Sequence, residues 1–151
     1  MHASLIIARS EHHSMIETFA SSIPPHEREN FSDNLDQNYL NSVKTGLLFI
    51  VTTADRIVAT SSLWPLGSTL VKAGSCFVAP EYRDFELQQL MHEARAMVIR
   101  QRWGSNCAAV SAVRRTTGAS AEDLLTLGFS PWKDPHSLHS QLHCSSLRFA
   151  N

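Results

Sequence analysis

The chain is short of most of what specialises a sequence. Its 151 residues contain three cysteines, six glycines and six prolines, and only 18% are Asp, Glu, Lys or Arg. Cys76, Cys107 and Cys144 are odd in number and widely spaced. They argue against a disulfide framework and fit a reducing compartment. No run approaches the roughly 20 apolar residues that span a bilayer. The opening residues lack the basic leader and long apolar core of a secretion signal, so the cytoplasm is the expected location. A net charge of -1 gives no bulk attraction to nucleic acid or to an anionic membrane. There are no internal repeats and no low-complexity tracts. What remains is a chain with 43% hydrophobic residues. At this length one domain is expected, hiding roughly 70% of the surface its unfolded form exposes. Histidine is the one excess: eight of them make the net charge respond to pH between about 5 and 7.

The hydrophobic pattern gives an order of elements. Residues 5–9 read as a first strand. Ser10 is an expected N-cap for a helix carrying Met15, Ile16, Phe19 and Ala20 at helical spacing. Pro24 and Pro25 break it, and Pro25 suits the first turn of the next. Residues 26–43 carry Phe31, Leu35, Tyr39, Leu40 and Val43 on one stripe of a polar helix pair, which Gly46 ends. Three β-rich runs follow, 47–53, 57–64 and 69–78. The turn at Ala54-Asp55-Arg56 joins the first two, so they predict an antiparallel meander. Leu47, Phe49 and Val51 fall on one face and Leu48 and Ile50 on the other, so both faces of that strand are expected to be covered.

A long helix is predicted from about Phe85 to Arg102. Leu87, Leu90, Met91, Ala94, Met97 and Val98 make its expected buried stripe, and Arg95, Arg100 and Arg102 its wet side. Trp103-Gly104 stops it. Residues 107–113 form a short small-residue strand. Ser120 caps a helix over 121–127 that Gly128 closes. Strands near 129–132 and 138–149 end the pattern. Strand, long helix, strand in the middle implies a crossover between locally parallel strands.

Several residue groups invite a chemical reading, and for most the plainer one is preferred. His136, His139, His143 and Cys144 are acceptable zinc ligands by type. On a strand, however, 139 and 143 share a face while 144 points away, so a solvated edge hairpin is expected and no metal. His12, His13 and His26 suit an exposed face, with a substrate role as the alternative. Trp64 and Trp132 suit core packing, with pocket walls as the alternative. Cys76 and Cys107 read as small buried hydrophobes. The terminal strands leave a homodimer open through edge pairing.

Two local motifs carry a resemblance. The strand-to-helix junction Cys76-Phe77-Val78-Ala79-Pro80-Glu81-Tyr82-Arg83 resembles the "V-x-P-x-Y-R" junction of the GNAT superfamily of acyl-coenzyme A-dependent N-acyltransferases. Leu124-Leu125-Thr126-Leu127-Gly128-Phe129 is similar to that family's "L-Y-x-x-L-G-F". The order of elements agrees over nearly the whole chain. The resemblance implies an α/β fold with a mixed, mostly antiparallel central sheet, splayed between its fourth and fifth strands and flanked by helices. It implies acetyl-CoA, or another acyl-CoA or acyl-carrier pantetheine, as donor, and an amine on a small molecule or protein as acceptor. Donor contacts fall on Phe77, Val78 and the turn Arg83-Asp84-Phe85-Glu86-Leu87-Gln88. That turn matches the family's phosphate loop "Q/R-x-x-G-x-G/A", with Glu86 and Gln88 in its two small positions. Strand-to-helix junctions cradle phosphate through free backbone N–H groups and the helix dipole. Arg114-Arg115 reads as an exposed basic pair, or as a contact to the coenzyme's terminal phosphate.

The family's general acid position holds Leu124, and its strand carboxylate position holds Lys72. Ser111 and Tyr82 are therefore the candidate catalytic residues. A catalytically degenerate GNAT-fold module that binds a protein partner is the alternative function.

Overall fold

The computed structural model describes residues 2–28, 43–45, 47–104, 107–114, 130–131 and 142–148. Residues 29–42 of the helix pair predicted over 26–43, the helix predicted over 121–127, the "L-G-F" motif, Trp132, His136 and His139 lie outside these residues. Among those described, seven strands form one sheet in the order β1-β2-β3-β4-β5-β7-β6. They are β1 Ser4–Ile7, β2 Leu48–Thr53, β3 Arg56–Pro65, β4 Leu70–Val78, β5 Ala108–Arg114, β6 Ser130–Pro131 and β7 Leu142–Arg148. Every neighbouring pair is antiparallel except β4–β5, which is parallel. This is the mixed, mostly antiparallel sheet expected.

The β2 alternation works as predicted. Leu48 and Ile50 join Ile57 and Phe77 under α1 (His13–Ser22), whose Ile16, Phe19 and Ala20 are buried there. Leu47, Phe49 and Val51 face the other side, where α3 (Leu87–Trp103) lies. A short helix α2 (Pro25–Arg28) follows α1, with Pro25 in its first turn as expected. Ser10 does not cap α1. It opens a 3-10 turn over Ser10–His12 instead, and the Arg9 amide donates to His12 Nδ1 at 2.9 Å.

The largest correction concerns the roll of α3. Leu87, Met91, His92, Arg95 and Ile99 are buried, whereas Leu90 is 45% and Met97 60% exposed. The buried row advances by four residues, from 87 to 91, 95 and 99. Neighbours four apart lie on one helix face, so Arg95 falls at its middle. The helix also starts at Leu87 rather than Phe85, because a 3-10 helix occupies Pro80–Phe85 first.

One irregularity shapes the sheet. Thr60 pairs with Phe77 and Ser62 with Gly74, so Ser61 faces two residues, Ser75 and Cys76. That extra residue is a β-bulge, which bends its strand and sharpens the local twist. Gly74 fits there because the Trp64 ring covers it; a Cβ at 74 would stand 2.8 Å from Trp64 Cζ3.

Candidate functional site: the opening between β4 and β5

Just past the bulge the two central strands part. Leu70, Val71, Lys72 and Ala73 pair with Ala108, Ala109, Val110 and Ser111. Beyond that point β4 runs on to Val78 while β5 continues to Arg114 against β7. The facing edges of Gly74–Val78 and Ala112–Arg114 have no strand partner in each other. Such edges present free backbone donors and acceptors, which an extended ligand can satisfy as an added strand. Ser111 sits at the apex of this opening, in register with Ala73.

The direction of the free groups follows from strand geometry. The Ala79 amide donates to the Val58 carbonyl on β3 at 2.8 Å. Successive residues alternate sides along a strand, so the Val78 N–H and C=O point the other way, into the opening.

At the mouth lies the Arg83–Gln88 turn. Residues 80–85 form the 3-10 helix, and Glu86 is its C-cap and the N-cap of α3, with φ 55 and ψ 22. That left-handed conformation costs a non-glycine residue about 1–2 kcal/mol. Glu86 is the residue that the resemblance matches to the first small position of the phosphate loop, and its backbone takes a conformation that glycine favours. No side chain caps α3, and its first intrahelical bond runs from the Leu90 amide to the Glu86 carbonyl at 3.1 Å. The amides of Leu87, Gln88 and Gln89 are thus the exposed first-turn donors of a 17-residue helix. Phe85 is 51% exposed beside them, and Leu87 is buried beneath.

Arg83 does not reach toward these amides. Its Nε donates to the Val78 carbonyl at 3.1 Å, and Nη2 donates to both Glu27 oxygens at 2.9 and 3.0 Å. The guanidinium lies over the Phe77 ring, 5.5 Å from its centroid.

Tyr82 and Ser111 are not brought together. The Tyr82 hydroxyl accepts from Arg56 Nη2 at 3.3 Å, and Arg56 also donates to Glu81 at 2.8 Å. The phenol is held below its usual range, first by the Thr53 hydroxyl and then by Arg56. These partners belong to the β2–β3 hairpin, on the β3 side of β4, whereas Ser111 lies on the β5 side. A cavity of about 560 Å³ opens on that hairpin side, between Thr18 and Phe19 of α1, Asp55 and Ile57 of the hairpin, and Phe77 and Pro80.

Lys72, in the family's carboxylate position, holds its ammonium 5.4 Å from the Trp64 ring centre. No local pattern signals the polar band beneath the bulge. Arg95, only 3% exposed, donates to Nδ1 of the buried His92, whose Nε2 has no partner among the described residues. Ser61 Oγ is also buried and unpartnered there. Burial drives His92 down to about 3, with the Arg95 charge helping, and lowers Arg95 as well. Cys76 is partly buried and close enough to Arg95 to favour its charge, so it is not the simple buried hydrophobe expected; Cys107 is, and burial pushes its thiol up.

No family model matches the chain, and no curated protein does. Solved structures do. An acetyltransferase of the GNAT family from Staphylococcus aureus superposes with a TM-score of 0.79 at 14% identity, over 99% of this chain and 100% of that one. Ard1 from Thermoplasma volcanium gives 0.76 at 12% identity, over 100% of both chains. Naa50 from Arabidopsis thaliana, in complex with the bisubstrate analogue CoA-Ac-MVNAL, gives 0.75 at 13%, over 99% of this chain and 100% of that one. The chain has the fold of the GNAT acetyltransferases.

Proposed function

We propose that this protein is a divergent N-acyltransferase that moves an acyl group, most simply acetyl, from coenzyme A to an amine. The observation that carries the reading is the opening itself: a parallel β4–β5 pair that stops at Ala73 and Ser111, leaving a strand-wide gap that ends at an uncapped helix start. Extended pantetheine matches the free edge at Phe77 and Val78. The diphosphate matches the amides that follow Glu86, with Arg83, Asp84 and Phe85 forming the turn above and Leu87 and Gln88 the first turn below. The likeness in fold to Naa50, whose structure is in complex with the bisubstrate analogue CoA-Ac-MVNAL, supports coenzyme A as the donor.

In this reading the neutral amine attacks the thioester carbonyl, the carbon–sulfur bond breaks, and the amine's proton passes through water to the departing thiolate. Backbone amides polarise the carbonyl, and orientation supplies much of the rate. Ser111 is the catalytic candidate at the apex. Tyr82 is the second candidate and would have to leave Arg56 to act. The cytoplasm is the compartment we assign; among the described residues no helix is long and apolar enough to cross a membrane.

The acyl-carrier alternative for the donor and the non-catalytic binding module are separated by one titration. Coenzyme A and acetyl-CoA should raise the melting temperature in a saturable way, and an amine panel should release free thiol. A shift with phosphopantetheine but none with coenzyme A indicates the carrier. Absence of any shift at millimolar ligand removes the enzymatic reading. Lys72 over Trp64, where a carboxylate base would stand, is the observation that favours the module.

A further inference from the structure

We infer that Glu27 is a latch on the donor opening, and that the donor enters by taking Arg83 away from it. The inference rests on the donor placement proposed above.

Three observations converge on Arg83. Its Nε occupies the carbonyl of Val78, the group that strand alternation turns into the opening and that an extended ligand along β4 would use. Its Nη2 bridges both oxygens of Glu27. Its plane covers Phe77, the neighbouring residue on the α1 face. The side chain therefore spans the mouth from the 3-10 helix to α2, and α2 has no other ion pair among the described residues.

The burial of the pair is uneven. The Glu27 side chain is only 17% exposed, whereas that of Arg83 is 46% exposed. If Arg83 turns to a diphosphate, Glu27 is left mostly buried without its cation, which is unfavourable. The carboxylate must then move into water, and moving it means moving α2, which starts at Pro25 directly after the break at Pro24. Donor binding is thereby coupled to release of α2, on the α1 face, opposite α3. The latch favours an order in which the donor binds first and the opposite face loosens second. It also keeps an empty opening closed, since Arg83 satisfies the Val78 carbonyl meanwhile.

The test is isothermal titration with coenzyme A on three full-length proteins, the wild type, Glu27→Gln and Arg83→Met, with amide hydrogen exchange read at residues 26–28. Glutamine keeps the shape and one acceptor but not the charge. The expected result is roughly tenfold tighter binding by Glu27→Gln, as for one charge-assisted contact removed from a competitor. Arg83→Met is expected to bind more weakly, and coenzyme A should speed exchange at residues 26–28 in the wild type only. Equal or weaker binding by Glu27→Gln overturns the latch while leaving the donor site standing. Tighter binding without faster exchange in the wild type overturns the coupling to α2. Failure of all three proteins to bind removes the donor reading, and the latch with it.

Discussion

Two arginines lie twelve positions apart on the connection between β4 and β5, and their settings are opposite. Arg83 is half in water and meets a carboxylate with two hydrogen bonds; Arg95 is buried and donates to a neutral imidazole, with no carboxylate partner among the described residues. The first is half-solvated on its own side, so a stronger anion can draw it away from its carboxylate. The second is costly, because a buried charge without a counter-charge carries its full desolvation penalty. A residue of the first kind suits ligand traffic. One of the second kind is held by everything packed around it, and it fixes the polar band under the bulge.

Substitutions at these positions sharpen or break that contrast. The largest effect is expected at Arg95. Arg95→Ala should lose about 2–4 kcal/mol in denaturant unfolding, from the cavity and from the stranded His92 Nδ1. Arg95→Met, which refills the space without the charge, should lose far less. Equal losses for the two would mean that the charge, not the volume, holds α3 down.

Next comes acid. His92 is driven from 6.5 to about 3 in the folded protein. Below its unfolded value the unfolded chain takes up a proton that the folded chain refuses, so this group makes stability fall as pH drops from about 6.5 toward 3. Unfolding of His92→Gln followed over that range should show a shallower fall than the wild type; an unchanged slope would place the acid sensitivity elsewhere.

Arg83→Met should weaken coenzyme A roughly tenfold and, by stranding the mostly buried Glu27, lower stability by about 1 kcal/mol, less than Arg95→Ala does. The smallest effects belong to the two non-glycine residues at positive φ, Ala54 at 48° and Glu86 at 55°. Glycine at either should stabilise by about 1 kcal/mol through relief of the left-handed backbone. At Glu86 alone it should also improve coenzyme A binding, because a negative charge leaves the phosphate turn. If Ala54→Gly improves binding too, backbone relief rather than charge is responsible.

The same two arginines mark what could be read from the chain alone. The order of elements, the β2 alternation and the β2–β3 turn follow from local pattern, since each depends on residues a few positions apart. Arg83 was legible through its place after "V-x-P-x-Y". Its partner was not, because Glu27 lies 56 positions away and no periodicity links them. Sequence alone places Arg95 in water because long charged side chains usually lie there. The row of four-residue steps from Leu87 to Ile99 competed with a stripe through Leu90 and Met97, and only contact with the bulged strand decides between them. The left-handed Glu86 was equally hidden, since a good helix former gives no hint that its backbone turns the other way. The candidate catalytic pair was drawn from residue type and motif, and the hairpin contacts of Tyr82 are long-range facts of the same hidden kind.

The seat of the Trp64 ring on Gly74 has a further consequence. The indole lies against the bulged strand, and what lets it sit flush is a hydrogen where other residues carry carbon. In the proposed reading, the bend that precedes the donor opening thus depends on a spot that no substrate needs to touch.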